Sequence, residues 1–421
     1  MKVSIKPGKL GGTIRAIESK SYAHRALICA AFADRPTEIV CTALSDDIEA
    51  TMGCLRALGA DIKRDGDRLW VVPVGDIPGD AILDCKESGS TYRFILPCVC
   101  MRGADARFKL GGRLPVRPMD VFWSLVEPRG ITVRGKGGEI VCITGKLTGD
   151  RFVIPGNVSS QYISGLALAL GMSGRRGIIE ITESIESLGY INITLDIMNK
   201  FGIKTEFDGN RLIVYGEKRY KSSGYLKIEG DWSNAAFWLC SAAAQGSELT
   251  CTGLNINSKQ GDRAVCDILT RFGAKLVYGE DSLKIEASTE KLHGIEIDAH
   301  DTPDLIPAVA VCAASAEGET VVYGAARLRL KESDRLETVT NTVNLLGGDA
   351  KVTDDGMIIR GKELSGGSVD GCGDHRIVMM AAAASPLCER EVTISNAEAC
   401  EKSYPTFFED FAKLGGNAAT L

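Results

Sequence analysis

The stretch Arg327–Arg360, RLRLKESDRLETVTNTVNLLGGDAKVTDDGMIIR, contains the pattern from which the rest of the chain is built. Its first nine residues carry six charged side chains, which indicates a site that binds or transforms a ligand. Apolar residues at helical spacing then lead to the glycine pair at 347–348, and Asp355-Gly356 is typical of a hairpin turn. The stretch therefore predicts a helix, a glycine cap and two antiparallel strands.

The glycine that ends this helix recurs along the chain at nearly constant spacing. An apolar residue precedes each copy by four positions, as expected for a buried contact one turn before a left-handed cap. A period that persists across five intervals predicts an internal structural repeat. The six glycines, which are 71, 72, 71, 74 and 68 residues apart, are Gly59, Gly130, Gly202, Gly273, Gly347 and Gly415.

Each interval also contains a second helix, rich in alanine and apolar residues and therefore buried, such as AAFWLCSAAA at 235–244. The repeat thus reads strand–helix–strand–helix–strand–strand and predicts an α/β (α+β) protein. The sixth copy is too short, and Met1–Pro7 is a strand without a helix, so we expect this strand to complete it. Three repeats in each domain then give 13–224 as an N-terminal domain, and 1–12 with 225–421 as a C-terminal domain.

The composition favours a globular protein that binds a small ligand. A net charge of −6 argues against a nucleic-acid-binding protein. The 14 cysteines form no CxxC pair, which indicates free thiols in a reducing cytoplasm and no zinc site. No leader or membrane-length apolar run is present, so we expect a cytoplasmic protein with no membrane partner.

Positively charged residues recur where helices are expected to begin. Cations oppose the helix dipole there, whereas free backbone N–H groups bind anions, so the pattern predicts an anion-binding site. Serine and aspartate in the same places are commonly N-caps. The eight cations are Lys20, Arg25, Arg93, Arg117, Lys331, Arg335, Arg376 and Lys402.

Four carboxylates stand among these cations: Asp231, Asp304, Glu332 and Asp374. Asp304 fits a helix cap, an acceptor of a hydroxyl proton or a partner of a sugar-like diol. Asp46 and Asp47 lie beside no cation in the sequence, and we expect them to be caps.

The helix-start motifs closely resemble those of the 5-enolpyruvylshikimate-3-phosphate synthase family. The matches follow the family's order over nearly the whole chain: SKSYAHRAL at 19–27, ESGSTYR at 87–93, LPVRPMD at 114–120, SSQYISGL at 159–166, GDWSNAAF at 230–237, KESDRL at 331–336, DHRIVM at 374–379 and KSYP at 402–405. The resemblance implies a two-domain inside-out α/β barrel, with three βαβαββ repeats in each domain and the active site in the interdomain cleft.

Members of this family transfer the enolpyruvyl group of phosphoenolpyruvate to the 5-hydroxyl of shikimate 3-phosphate and release phosphate, a step toward chorismate and the aromatic amino acids. The resemblance implies addition and then elimination through a tetrahedral intermediate. The implied catalytic residues are Asp304, as base on the 5-hydroxyl, with Lys331, Glu332 and Lys20. The resemblance implies no metal, no organic cofactor and a monomer whose partners are these small anionic substrates.

The resemblance also implies two sets of binding residues. For phosphoenolpyruvate they are Lys20, Gly89, Arg93, Arg117, Gln161, Arg335, Arg376 and Lys402. For shikimate 3-phosphate they are Lys20, Ser21, Arg25, Ser159, Ser160, Gln161, Ser187, Tyr190, Asp304, Arg327 and Lys331. Glu87 and Arg327 stand where the family more often has asparagine, and Gly89 implies sensitivity to glyphosate.

Two other functions remain as alternatives. A UDP-N-acetylglucosamine enolpyruvyl transferase would share the fold and the donor, but it usually has asparagine at the position of Ser21 and a reactive cysteine near the RP motif. No cysteine lies between Cys100 and Cys142. A non-catalytic phosphosugar-binding relative is disfavoured by the presence of Asp304, Lys331 and Glu332.

Overall fold

The computed structural model describes all 421 residues, which divide into two compact units. The first unit contains residues 18–228, and the second contains residues 1–17 with 229–421.

Twelve α-helices lie along the chain: α1 (Lys20–Ala31), α2 (Asp46–Ala57), α3 (Gly89–Arg102), α4 (Asp120–Val126), α5 (Ser160–Gly171), α6 (Leu188–Lys200), α7 (Trp232–Gln245), α8 (Val265–Phe272), α9 (Ile306–Ser315), α10 (Arg335–Leu345), α11 (His375–Ala384) and α12 (Phe407–Lys413).

The strands are β1 (Lys2–Lys6), β2 (Gly12–Arg15), β3 (Thr37–Val40), β4 (Asp61–Asp65), β5 (Arg68–Val72), β6 (Ala81–Asp84), β7 (Ala106–Lys109), β8 (Ile131–Arg134), β9 (Ile140–Gly145), β10 (Arg151–Pro155), β11 (Arg176–Thr182), β12 (Lys204–Phe207), β13 (Arg211–Tyr215), β14 (Tyr225–Lys227), β15 (Leu249–Thr252), β16 (Leu276–Tyr278), β17 (Ser282–Ile285), β18 (Glu296–Asp298), β19 (Glu319–Tyr323), β20 (Asp349–Val352), β21 (Met357–Arg360), β22 (Gly367–Asp370), β23 (Val392–Ser395) and β24 (Asn417–Thr420).

The strands form six sheets of four strands, three in each unit, and all six have the same topology. Two parallel strands lie side by side, and two antiparallel strands follow them, which are joined as a hairpin in five of the six sheets. In the first unit the orders are β14-β3-β5-β4, β6-β7-β9-β8 and β10-β11-β13-β12. In the second unit they are β16-β17-β15-β2, β18-β19-β21-β20 and β22-β23-β1-β24. The sixfold repeat predicted from the glycine spacing is confirmed.

The N-terminal strand completes the sixth sheet, as the short last repeat predicted. β1 pairs antiparallel with β23 on one side and with β24 on the other, so Val3 lies opposite both Ile394 and Thr420. It thereby occupies the place of the second hairpin strand, which the C-terminal repeat is too short to supply.

The unit boundaries lie a few residues later than the predicted boundaries at 12/13 and 224/225. β2 pairs in parallel with β15 of the second unit, although the helix after it, α1, belongs to the first. β14 likewise pairs with β3 of the first unit, whereas α7 belongs to the second. Main-chain hydrogen bonds therefore keep each crossing strand in the unit that the chain is about to leave.

The six recurring glycines end their helices as predicted. Each has a positive φ, between 75° at Gly202 and 102° at Gly273. Glycine adopts this conformation without the steric penalty that a Cβ would bring.

The sheets are amphipathic, whereas the alanine-rich helices are buried. Alternate residues of β5 are buried and exposed, while nearly every side chain of α3, α5, α7 and α11 is buried. Because buried helices cannot present polar side chains along their length, their polar residues collect at the ends. Many of the predicted site residues lie at the starts of these helices.

Candidate active site

In the first unit, serine side chains cap the three buried helices α1, α3 and α5. Each serine accepts a hydrogen bond from a backbone N–H in the first helical turn. The helices then begin at Lys20, Gly89 and Ser160, all of them predicted ligand contacts. The caps and their donors are Ser19 with Tyr22 N, Ser88 with Thr91 N, and Ser159 with Gln161 N.

Gln161 connects the starts of α3 and α5. Its Oε1 accepts a hydrogen bond from Arg93 Nη1 at 2.7 Å, and its Nε2 donates to Ser90 Oγ at 3.1 Å. Arg93 also donates from Nη2 to the carbonyl oxygen of Pro118 at 3.3 Å. This bond ties α3 to the loop that carries Arg117, so three predicted phosphoenolpyruvate contacts lie together.

Gly89 lies directly against the guanidinium group of Arg117. A Cβ atom at Gly89 would lie 2.9 Å from Arg117 Nη1 and 3.4 Å from Arg93 Nη1. Burial, and next to it repulsion from Arg117, lowers the pKa of Arg93 to about 10. Two guanidinium groups beside a glycine at a helix start form a positively charged surface that an anion can approach closely.

Lys20 lies beside Asp47, a carboxylate that has no cation near it in the sequence. Its Nζ donates to Asp47 Oδ2 at 2.9 Å. The expectation that Asp47 is a cap without a neighbouring cation is wrong, because α2 packs against α1 and brings it to Lys20. Ser45, not Asp46 or Asp47, caps α2 by accepting a hydrogen bond from Ile48 N.

Arg25 is buried and joins two predicted shikimate 3-phosphate contacts. It donates from Nη1 to Ser21 O at 2.7 Å and from Nη2 to Tyr190 O at 3.1 Å. Its Nε donates to Thr194 Oγ1 at 2.6 Å, and burial lowers its pKa to about 10. The hydrogen bonds of Arg25 therefore connect α1 to α6 at the end where Ser21 and Tyr190 lie.

Ser187 precedes α6 in a strained backbone conformation. Its φ is 58°, in the left-handed region, and its side chain is buried. A residue with a Cβ pays about 1 kcal/mol or more there, a cost that proteins accept most often at functional sites. The position is consistent with the predicted ligand contact.

In the second unit, Arg335 is the centre of a buried ionic cluster. It donates from Nε to Asp374 Oδ2 at 2.8 Å, from Nη1 to Asp304 Oδ1 at 2.7 Å, and from Nη2 to Glu332 Oε2 at 2.8 Å. Burial by itself lowers the pKa of Arg335, but the three carboxylates outweigh it and raise this pKa. Arg335 is therefore always a cation at this place.

Lys331 and Asp304 form the part of this cluster that can exchange protons. Lys331 Nζ donates to Asp304 Oδ1 at 3.1 Å. Burial, together with Arg335 and Arg327, lowers the pKa of Lys331, whereas Asp304 acts in the opposite direction. An amine with a lowered pKa releases its proton more readily, and a carboxylate beside it can accept one.

Arg376 brings two further helix starts to the cluster. Its Nη1 donates to the carbonyl oxygen of Asp304 at 2.9 Å, and its Nη2 donates to Ser233 Oγ at 3.0 Å. Lys402 lies at the same end of α11, where its Nζ donates to Gly373 O at 2.8 Å. All the predicted cations of the second unit thus surround the starts of α7, α9, α10 and α11.

Asp374 has the cap role that serine and aspartate commonly have at helix starts, as the sequence analysis expected. It caps α11 by accepting a hydrogen bond from Arg376 N at 3.0 Å. Arg335 lowers the pKa of Asp374, although burial acts in the opposite direction. The signal in the sequence is a Gly-Asp pair, which precedes both α7 and α11.

The two departures from the family pattern lie at the edges of these clusters. Glu87 is exposed in the loop before α3 and packs against Gly112. Arg327 is half-buried on the 3-10 helix Ala326–Leu330 and interacts electrostatically with Lys331.

No group of three or more His, Cys, Asp or Glu side chains is arranged to hold a metal ion. All 14 cysteines are free thiols, and only Cys372 is exposed. None of the twelve helices combines the length and the hydropathy needed to cross a bilayer.

Comparison with known proteins gives one consistent family. Residues 5–411 match the family model for EPSP synthase (3-phosphoshikimate 1-carboxyvinyltransferase). The 3-phosphoshikimate 1-carboxyvinyltransferase of Clostridium perfringens is 41% identical over 422 residues, which cover 99% of this chain and 98% of the relative. The enzyme of the same name from Clostridium acetobutylicum is 39% identical over 423 residues, which cover 99% of this chain and 97% of the relative.

Solved structures agree with this result. EPSP synthase from Acinetobacter baumannii covers all of this chain and is covered by it completely, with a TM-score of 0.83 and 26% sequence identity. The enolpyruvyl transferase NikO from Streptomyces tendae has the same fold, with a TM-score of 0.82 over 99% of this chain and 98% of that one, at 18% identity. The chain therefore belongs to the EPSP synthase (3-phosphoshikimate 1-carboxyvinyltransferase) family.

Proposed function

We propose that the residues gathered at the helix starts of the two units carry out the reaction of this family. The chain is an enolpyruvyl transferase of the shikimate pathway: it transfers the enolpyruvyl group of phosphoenolpyruvate to shikimate 3-phosphate. The assignment of residues is supported above all by the cations that converge on the starts of buried helices. Structural helix starts favour acidic residues, so these cations are best explained by anionic ligands.

In the proposed assignment, shikimate 3-phosphate is bound mainly by hydroxyl and amide groups of the first unit. The hydroxyl groups beside the capped start of α5 suit the phosphate and hydroxyl groups of this ligand. Tyr190 stacks against its ring. The full set is Lys20, Ser21, Arg25, Ser159, Ser160, Gln161, Ser187, Tyr190, Asp304, Arg327 and Lys331.

Phosphoenolpyruvate is bound by the guanidinium and ammonium groups. Arg93 and Arg117 lie side by side against Gly89, where their repulsion is relieved by a bound anion. Gly89 permits the ligand to approach the helix start because it has no Cβ. The full set is Lys20, Gly89, Arg93, Arg117, Gln161, Arg335, Arg376 and Lys402.

The proposed chemistry has two stages. Asp304 accepts the proton of the 5-hydroxyl, the oxygen forms a bond with C2 of phosphoenolpyruvate, and Lys331 or Glu332 delivers a proton to C3. In the tetrahedral intermediate the proton movements reverse: the group that protonated C3 takes a proton back from C3, and the C2–C3 double bond re-forms. The bond from C2 to the phosphate oxygen breaks, and Asp304 returns its proton to that oxygen. Phosphate leaves with the bonding electrons. Lys20 and the arginines stabilise the negative charge that moves to the phosphate.

We further propose that the chain acts as a monomer in the cytoplasm and is sensitive to glyphosate. The sensitivity follows from the proposed role of Gly89, whose lack of a Cβ leaves the guanidinium groups of Arg93 and Arg117 close to the start of α3.

The test of the assignment measures phosphate release. We expect the purified chain to release phosphate from phosphoenolpyruvate and shikimate 3-phosphate together and from neither alone. Asp304→Asn should lower kcat by about a thousandfold because a general base is lost. Release with UDP-N-acetylglucosamine in place of shikimate 3-phosphate, or no release with either acceptor, would contradict the proposed function.

A further inference from the structure

Four buried side chains of the first unit form a hydrogen-bonded series that the proposed reaction does not use. His24 Nδ1 lies 2.7 Å from Thr51 Oγ1, and Thr51 Oγ1 lies 2.7 Å from Thr91 Oγ1. Thr91 Oγ1 in turn donates to Ser88 Oγ at 2.7 Å. At most 1% of each residue is exposed, so bulk solvent does not compete for these bonds. We call His24, Thr51, Thr91 and Ser88 the buried polar series.

One end of the buried polar series fixes α2 against α1. His24 follows Lys20 by four positions on α1, and Thr51 follows Asp47 by four positions on α2. Residues that are four positions apart lie on the same face of a helix. The hydrogen bond between His24 and Thr51 therefore lies one turn beyond the ion pair of Lys20 Nζ with Asp47 Oδ2, which is 2.9 Å long. Together they give two contacts between the same two helices.

The other end of the buried polar series holds the first turn of α3. Thr91 N donates to Ser88 Oγ at 3.3 Å, and Thr91 Oγ1 also donates to Asp47 O at 3.3 Å. Gly89 stands between Ser88 and Thr91 as the first residue of α3. Thr91 therefore connects the start of α3 to Asp47, whose side chain in turn accepts a hydrogen bond from Lys20.

The number of available protons gives the series one direction. Each threonine hydroxyl has a single proton to donate. Thr91 donates to Ser88, so it accepts from Thr51, and Thr51 has then used its own proton and accepts from Nδ1 of His24. His24 Nε2 is buried and has no hydrogen-bond partner in the protein, so a proton there would be a donor without an acceptor. Burial, followed by two cations of α1, also lowers the pKa of His24 well below its ordinary value.

We propose that the buried polar series, with a neutral His24 that donates from Nδ1, positions the start of α3 for phosphoenolpyruvate, and that Thr51 is the positioning residue at its centre. This inference rests on the proposed function, since it takes Lys20 and Gly89 as phosphoenolpyruvate contacts. The Thr51 hydroxyl both accepts and donates, so this one group links the α1–α2 contact to the first turn of α3. Thr51 acts through Thr91, because its own side chain is completely buried.

The test compares Thr51→Val and Thr51→Ser with the wild-type chain. Valine has nearly the shape of threonine but no hydroxyl, so Thr51→Val breaks both bonds in the middle of the series. The KM for phosphoenolpyruvate should rise by about fivefold, while kcat falls by less than about twofold, because the reacting groups are untouched. Thr51→Ser keeps the hydroxyl and should return the KM to within about twofold of the wild-type value.

Thr37→Val separates positioning from a general loss of stability. Thr37 is also a buried threonine of the first unit, and its Oγ1 lies 2.6 Å from Ser222 Oγ, outside the series. Its replacement should lower the stability to denaturant as Thr51→Val does, but leave the KM unchanged. An unchanged KM in active Thr51→Val, or an equal rise in Thr51→Ser or Thr37→Val, overturns the inference and leaves the proposed function intact.

A measurement on the wild-type chain decides the inference if Thr51→Val does not fold. With 15N in the four histidine rings, nuclear magnetic resonance spectra should show His24 neutral, with its proton on Nδ1, from about pH 8 to about pH 5. Thr51→Ser, which loses only a methyl group, identifies the His24 signal by shifting it. A proton on Nε2, or titration of His24 near the ordinary pKa of about 6.5, contradicts the direction of the series and overturns the inference. If the wild-type chain releases no phosphate, the proposed function fails instead.

Discussion

At the scale of single residues, two features decide how the proposed site can work. Arg93 and Arg117 lie together at Gly89, where their positive charges repel each other. Arg335 has the opposite environment, since three carboxylates surround it. Positive charge is concentrated at Gly89, whereas carboxylates of the protein surround the positive charge of Arg335.

Gly89→Ala tests whether phosphoenolpyruvate binds at the start of α3, beside Arg93 and Arg117. Gly89 is the first residue of α3 and has no positive φ, so the backbone accepts alanine. The new methyl group would lie 2.9 Å from Arg117 Nη1 and must displace this guanidinium. We expect the KM for phosphoenolpyruvate to rise by about tenfold or more, with a smaller loss in kcat.

Gly53→Ala is the matched control for this substitution. Gly53 is also helical, in α2, and no atom lies within 4 Å of the position of its Cβ. Steady-state kinetics should therefore be unchanged. An unaltered KM in Gly89→Ala would show that phosphoenolpyruvate does not bind against this helix start.

At the scale of elements, one ion pair joins the starts of α10 and α11. Asp374 caps α11 and accepts hydrogen bonds from Arg335, the first residue of α10, at 2.8 Å and 3.1 Å. Both side chains are buried, with 1% of Arg335 and none of Asp374 exposed. Because both charges are removed from water, each depends on the other for its solvation.

We expect Asp374→Asn to lower the free energy of unfolding by about 3 kcal/mol, because it leaves Arg335 with one carboxylate fewer. The pKa of Asp374 is lowered in the folded chain, so the stabilisation should be present above its unfolded pKa and lost as the pH falls through the folded value. Denaturant unfolding at neutral and acidic pH measures both effects.

Glu206→Gln serves as the control for this pair. Glu206 forms an exposed ion pair with Lys204, in a place where solvent screens the interaction. Its removal should leave the stability unchanged. Equal stability losses in the two variants would mean that burial does not strengthen the Asp374–Arg335 pair.

At the scale of the whole molecule, the chain closes on itself through β1. The N-terminal strand lies between β23 and β24, and Leu421 N donates to Lys2 O at 2.8 Å, so the two ends of the chain are neighbours. The two segments of the second unit, residues 1–17 and 229–421, are consequently joined by main-chain hydrogen bonds between residues about four hundred positions apart in sequence.

This arrangement predicts that a circular permutant folds. Joining Leu421 to Met1 with a short flexible linker and opening the chain between Lys136 and Gly137 moves the ends to an exposed turn between β8 and β9. We expect the permutant to be folded and to retain activity within about threefold, because no strand is interrupted. Opening the chain between Thr393 and Ile394, inside β23, should instead abolish folding. Circular dichroism and phosphate release measure the outcome, and an unfolded first permutant would contradict this account of β1.

Much of the fold could be predicted because repetition makes local signals redundant. Six glycines in the left-handed region each follow a helix. One such glycine is a weak indication of a helix end, but six at nearly constant spacing predict a repeat. The crossings could not be placed to the residue, since β2 and β14 look like the first strands of the repeats that follow them. Only their partners, β15 and β3, show which unit each belongs to.

The sequence by itself determined the repeat, the class of fold, the positions of the helix starts and the surplus of cations there, because all of these depend on local periodicity and on residue chemistry. The tertiary structure alone decided which charges meet. Asp47 of α2 pairs with Lys20 of α1, and Arg335 bonds to the three carboxylates of Asp304, Glu332 and Asp374. Electrostatic interactions depend on distance and burial, and both are set by packing between elements and not by separation along the chain.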